Sequence, residues 1–436
     1  MRWEVIIPDP TKVTQKKEER EMTSRKTLIC VLVVLFAFAA PVFAGKIHTA
    51  AKSGKVDQVQ SLLAGGADVN AAEKNGWTPL HFAARYGRTE VAELLIKKGA
   101  KVEAMAKSGK TPLMAAAMGG HTDVGTLLLN KGADVNAKDN DGWTALLIAA
   151  DRGKVKMAKM LINKGANINA KVTRSGETAL HMAAGGGKLG LVQLLIDKGA
   201  SVSAAASNGW TPLHQAAKSG RVEVVELLIT KGAQVGVKSK GGSTPLHLAA
   251  RFGKKAVVEL LIAKGANINA KTDDGETPLF RAAKGGETEI LDLLIAKGAN
   301  VNATDNNGDT PLLIACDQGK KATIIMLINK GANVSAKNKA GMTPLHHTVT
   351  MKGKARMEIT KLLISKGADV NAATIAGWTP LHRAARYNRA DAAEVLIAKG
   401  ADVNAKTKKG RTPLALANKY KKTKAAELLR AKGGTE

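Results

Sequence analysis

The chain has 436 residues, with 66 Lys and Arg against 37 Asp and Glu, a net charge of +29. A hydrophobic content of 44% excludes wholesale disorder, and an aromatic content of only 3% argues for many small helices packed through Ala and Leu rather than one large mixed core. Two cysteines, Cys30 and Cys316, exclude a disulfide framework.

The first segment, residues 1–44, reads as a leader rather than part of a fold. Arg25 and Lys26 precede an apolar run from Leu28 to Ala44, and Val42-Phe43-Ala44 places small residues where a signal peptidase reads. The run is short for a bilayer span and is broken by Pro41. A secretory signal is therefore expected, cleaved between Ala44 and Gly45, with an uncleaved membrane anchor as the other outcome. Cys30 lies near the start of the apolar run, which argues against lipid attachment. Initiation at Met22 would give a leader of ordinary length, so residues 1–21 read as a mis-assigned start.

From Gly45 onward a period of 33 organises the sequence. A threonine recurs at Thr78, Thr111, Thr144, Thr178, Thr211, Thr244, Thr277, Thr310, Thr343, Thr379 and Thr412, and Gly45 heads a matching first unit, giving twelve units over 45–436 with no linker. Each begins with a T-P-L-H block and paired alanines, such as Ala83 and Ala84. A second run such as Val91, Leu94 and Leu95 follows at helical spacing, then Lys-Gly-Ala and a V-N-A segment. Thr before Pro predicts a capped helix start, Gly99 a left-handed helix end, and Glu73-Lys74-Asn75-Gly76 a hairpin turn. Thr144-Ala145 and Thr178-Ala179 lack the proline. One extra residue falls within Lys171–Glu177 and three around Met351–Arg356, both read as loop insertions. A polar stretch, Asn418 to Lys422, suits a solvent-facing end.

Period, T-P-L-H, A-A and L-L-x-x-G-A together resemble the ankyrin repeat, across the whole of 45–436. The resemblance implies an all-α solenoid of about twelve helix-turn-helix units with short β-hairpin tips. It also implies that the tips and first helices line a concave face that contacts partners.

The sequence offers several chemical motifs that this reading absorbs. Ala104–Thr111 fits a relaxed phosphate-loop pattern, but its Thr is the repeat's own and no strand precedes it. Gly185–Gly190 contains G-x-G-x-x-G at the turn between two helices. Asp139–Gly142 resembles part of a calcium loop, yet Ala137 and Ile148 stand where its first and last ligands belong. His48, His81, His181, His214, His247, His346 and His382 occupy the fourth position of the block, where a ring can hold neighbouring backbone groups. His346-His347 lacks a third ligand nearby, and Cys316 replaces the second Ala of an A-A pair, so a small buried residue is expected. No catalytic residue, metal site or cofactor is expected, and no small-molecule substrate.

What remains is a surface. Lys98, Lys131, Lys164, Lys198, Lys231, Lys264, Lys297, Lys330, Lys366, Lys399 and Lys432 precede the Gly ending each second helix, where a cation favours the helix dipole. Aromatic and basic residues concentrate before the repeat's Thr and on the first helix. One group is Trp77, Phe82, Arg85 and Tyr86, and another is Trp378, Arg383, Arg386 and Tyr387. Between them come Trp143, Trp210, Lys218, Arg251, Phe252, Arg281 and Lys284. Trp, Tyr and Arg dominate interface energies, so these are the candidate partner-binding residues. The reading is a non-enzymatic, exported scaffold, periplasmic or secreted and bacterial, that binds a protein of acidic or mixed surface. The basic charge leaves a polyanion (envelope polymer, anionic lipid or nucleic acid) as the alternative, and a secreted host-directed effector as a third. Membrane attachment is expected only through an uncleaved leader.

Overall fold

The computed structural model describes residues 45–353 and 355–436. The expected leader, including Ala44, lies outside them; Gly45 opens the first helix. No helix among the described residues is long and apolar enough to cross a membrane. They form two compact units, one ending at Arg174 and the other beginning at Ser175, and the boundary falls in the tip that carries the extra residue. The first holds four helix pairs, from residues 45–53 to Val155–Asn163; the second holds eight, from Ala179–Gly185 to Thr423–Ala431.

Each pair is built the same way. Thr78 is extended, with φ −94° and ψ 167°, and its side chain accepts a bond from the third helical residue while His81 reaches back to the Thr78 backbone N–H. Pro79 occupies the first turn of the helix Pro79–Arg85, where its missing N–H costs nothing. Thr144 caps without a proline after it, accepting the Leu147 N–H at 3.3 Å. Ala83 and Ala84 are fully buried and let neighbouring helices approach closely. In the second helix, Thr89–Lys97, it is Val91, Ala92 and Leu95 that fill the core, with Leu94 half-buried. The helix ends on a left-handed Gly99, φ 90°, whose N–H bonds Ile96 O at 3.0 Å while Ala100 N–H bonds Leu95 O at 2.9 Å. Both orphan carbonyls are thus satisfied.

The tips depart from expectation. No residue among those described is in a strand, so the β-hairpin tips are tight turns instead. In the Thr78 tip, Glu73 N–H bonds Trp77 O at 2.9 Å and Gly76 N–H bonds Glu73 O at 2.8 Å. A single bond, Lys107 N–H to Asn75 O at 2.9 Å, joins this tip to the next. The next junction adds a side-chain bond, Asn140 donating from its N–H to Ser108 O and from Nδ2 to Lys107 O, and such isolated bonds fix the spacing of the tips without making a ladder.

Where the block carries its histidine, the ring ties that unit to its successor. His81 Nδ1 accepts the Thr78 N–H at 3.1 Å, and Nε2–H donates to Lys110 O at 2.9 Å. The same pair of bonds recurs at His214, His247 and His346. A second tie comes from the V-N-A asparagine: Asn371 donates to Gly400 O at 2.9 Å and accepts the Asp402 N–H at 2.8 Å, and Asn136 and Asn404 repeat this.

The insertion near Met351 is a loop that is exposed at Lys352 and Gly353 and anchored by buried residues before them. The first helix there, Pro344–Thr348, is short, the second, Ala355–Ser365, extends to 11 residues, and Val349 and Met351 are buried.

Candidate functional site

Four places in the repeat, counted from the capping Thr, lie on the tip and first-helix side: the residue before it, and those four, seven and eight after it. They are half-buried or exposed in the Thr78 and Thr379 repeats, whereas Ala115, Ile148, Leu248, Glu276 and Met351 are buried at them elsewhere. The candidate residues fall on these places, Phe82 among them at four after Thr78. Trp77, Trp143, Trp210, Trp378 and Phe82 are half-buried, while Tyr86, Phe252 and Tyr387 are exposed. Phe280 is the exception among the aromatics: it takes the histidine's place in its block and is core.

In the first unit, Trp77 packs edge-on against Phe82 at 5.2 Å, Phe82 meets His48 at 5.5 Å, and Lys52 lies 5.1 Å over Tyr86. Arg85 is half-buried beside Tyr86 in sequence. Trp143 stands apart from that group, lining a smaller hollow with Lys110 and Asp139. Lys110 pairs with the buried Asp139 at 3.1 Å, so the lysine of the phosphate-loop look-alike is engaged, and Asp139 Oδ1 accepts the Trp143 N–H at 2.8 Å.

In the second unit, Lys218 lies 5.2 Å over Trp210 and 5.7 Å over Phe252, with Arg251 over the same Phe252 at 5.9 Å. Arg281 and Lys284 are not presented as bare cations. Both bind the buried Glu276 carboxylate, Lys284 at 3.2 Å. Trp378, Arg383, Arg386 and Tyr387 come together and, with Met342 and Ile375, line a groove of about 860 Å³. Arg386 lies 5.5 Å over Trp378, 5.7 Å over Tyr387 and 4.9 Å over Tyr420. Arg383 reaches Met342 Sδ and Thr350 Oγ1, each at 3.4 Å, and burial lowers its pKa. Lys408, Lys409 and Arg411 complete the wall, and no lining side chain is acidic.

The buried histidines are tuned for structure. Desolvation lowers the pKa of His81 and His382, and brings His214, His247 and His346 to about 4. Neutral rings suit their bonds, since Nδ1 must accept and only Nε2 donates. Cys316 is fully buried, which pushes its thiol pKa up. His347 Nδ1 faces Asp317 at 3.2 Å, and no group of three His, Cys, Asp or Glu among the described residues could hold a metal ion.

The sequence reading missed Met342 and Ile375 as groove residues, and missed Glu276 as the partner of Arg281 and Lys284. For Met342 and Glu276 the signal was present in the residue before the Thr, which is Trp, acid, base, Ser or Met along the chain.

A family model described as ankyrin repeats, three copies per match, fits nine overlapping stretches of the chain, from 47–139 to 351–436. The chain belongs to the ankyrin-repeat family. No curated protein matches it. Ankyrin repeats generally serve as protein–protein interaction modules and are typically non-enzymatic. In this ankyrin array the residues on the tips and first helices vary between units, while the histidine tie recurs in seven of the twelve and gives way to an apolar residue such as Met114, Leu147, Phe280 or Leu313 in others.

Proposed function

We propose that this ankyrin-repeat protein is a non-enzymatic scaffold that binds a partner protein through the tips and first helices of its repeats. The carrying observation is the segregation of side chains. The core is almost wholly Ala, Leu, Val and Ile, whereas Trp, Tyr and Arg are grouped, half-exposed, on one side of the repeats. Those are the residue types from which interface anchors are drawn. A partner of acidic or mixed surface fits the basic character of that side, and the leader-like residues 1–44 favour a location outside the cytoplasm, periplasmic or secreted.

The lysine row on the second helices gives less support to a polyanion. Lys231, Lys264 and Lys330 bind Asp197, Glu226 and Asp292 of the preceding repeat at 3.3, 3.6 and 2.6 Å, so part of that charge is neutralised within the fold. The test is a crosslinked pull-down with tagged protein from the native envelope fraction, washed at low and high salt. A discrete protein that survives high salt supports the scaffold. Mixed material that elutes with salt refutes it in favour of a polyanion, whose affinity falls steeply with salt. N-terminal sequencing of the native protein checks the cleaved-leader reading, which requires a start at Gly45.

A further inference from the structure

The protein carries its own control for what its basic groove would bind. In the unit capped by Thr277, the cations four and seven residues past the Thr are Arg281 and Lys284, and the residue just before it is Glu276. That carboxylate, 8% exposed, binds both cations. In the unit capped by Thr379 the same two places hold Arg383 and Arg386, but the residue before the Thr is Trp378. There Arg386 has three aromatic rings around it and, among the described residues, no carboxylate within ion-pair distance. Arg383 hydrogen-bonds a thioether and a hydroxyl and lies 5.9 Å over the Tyr387 ring, and its Nε is buried without a hydrogen-bond partner. Lys408, Lys409 and Arg411 on the next tip likewise make no ion pair among the described residues, and Met342 with an exposed Ile375 gives the groove an apolar side.

We propose that this groove is a carboxylate seat for an acidic segment of a partner protein. An Asp or Glu of that segment takes the place Glu276 holds in the other unit, and an adjacent apolar side chain lies on Met342, Ile375 and Trp378. Charge complementarity selects this occupant: the wall has five cations and no acid, and a guanidinium over a ring still has its edge available for a carboxylate. The proposal rests on the scaffold reading and narrows it to one site and one partner chemistry.

The test uses a fluorescein-labelled peptide with glutamates flanking a leucine–phenylalanine pair, and a twin with glutamines, in fluorescence anisotropy at physiological salt. The expected result is one glutamate peptide per chain and binding of the twin weaker by about tenfold or more, as loss of charge-assisted contacts implies. Trp378→Glu supplies the seat with an internal acid, as Glu276 does, and should weaken the glutamate peptide by about tenfold. Arg386→Gln should do the same by removing a cation, and unchanged melting temperatures establish that both variants are folded. Glu276→Trp should open a second seat and raise the stoichiometry to two. Equal binding of the glutamate peptide by the unaltered chain, Trp378→Glu and Arg386→Gln overturns the proposal. So does a heparin fragment that binds more tightly than the peptide and is equally weakened by both substitutions. In the pull-down, a partner retained by Trp378→Glu leaves the scaffold standing while the seat fails; no partner even for the unaltered chain fails the scaffold itself.

Discussion

Lowering the pH from 7 to 5 should destabilise the second unit through its histidines. His214, His247 and His346 are buried, with burial bringing each pKa to about 4. An unfolded imidazole titrates near about 6.5. Between these values the unfolded chain binds more protons, so stability falls as pH drops below about 6.5 and the loss levels off near about 4. At pH 5 the unfolded ring is almost fully protonated and the folded ring about one-tenth so, a loss of about 2 kcal/mol per histidine relative to pH 7. The geometry explains the direction: a proton on Nδ1 of His247 would face the Thr244 N–H it now accepts at 3.1 Å. Urea unfolding followed by circular dichroism at the two pH values measures the loss in the unaltered chain and in His247→Phe, a change that copies Phe280, which fills the same place in the next block. The variant should be weaker at pH 7 but lose about 2 kcal/mol less on acidification. If both lose the same amount, the histidine argument is refuted.

Three further outcomes are expected. Gly76→Ala should cost about 3 kcal/mol, because φ is +84° and a Cβ would lie 2.6 Å from Lys107 N, whereas Gly99→Ala, with φ +90° and open space around it, should cost about 1 kcal/mol; paired urea midpoints decide. Lys421→Gly should raise stability by about 1 kcal/mol, since Lys421 holds φ +55° where sister units have Gly87 and Gly253, and a lower urea midpoint would contradict this. In a chain starting at Gly45, Cys316 should resist a thiol reagent until denaturant is added, because it is fully buried and its thiolate is disfavoured; rapid labelling of the native chain would refute that.

The features legible in the sequence are those whose physics is local and repeated. A Thr-Pro start, a Gly end and paired alanines each act within a turn of helix, and the period of 33 multiplies a weak local signal into a strong one. The histidine's structural role was visible because a residue repeated at one place in seven of the twelve units serves the unit. What was not legible depends on the next unit. The Asn371 bonds to Gly400 and Asp402 lie across 29 and 31 residues and leave no hydrophobic pattern. The pairing of Arg281 and Lys284 with Glu276 requires knowing that the tip folds back over the first helix. Two cations on an exposed helix face look available for a partner until that carboxylate is placed. The tips read as hairpins because Asn-Gly chemistry is shared by turns with and without flanking strands.

The histidine tie always ends on a main-chain oxygen, that of Ala71, Lys110, Trp210, Ser243, Glu276, Trp378 or Arg411. Every residue type supplies the same carbonyl, so the joint is indifferent to the side chain it grips. At Lys110, Trp210, Ser243, Trp378 and Arg411 the closing residue also presents a half-buried side chain on the tip, while that of Glu276 turns onto its neighbouring cations. The chain can therefore rewrite its recognition surface one letter at a time, from indole to ammonium to carboxylate, without renegotiating the bonds that hold its repeats together.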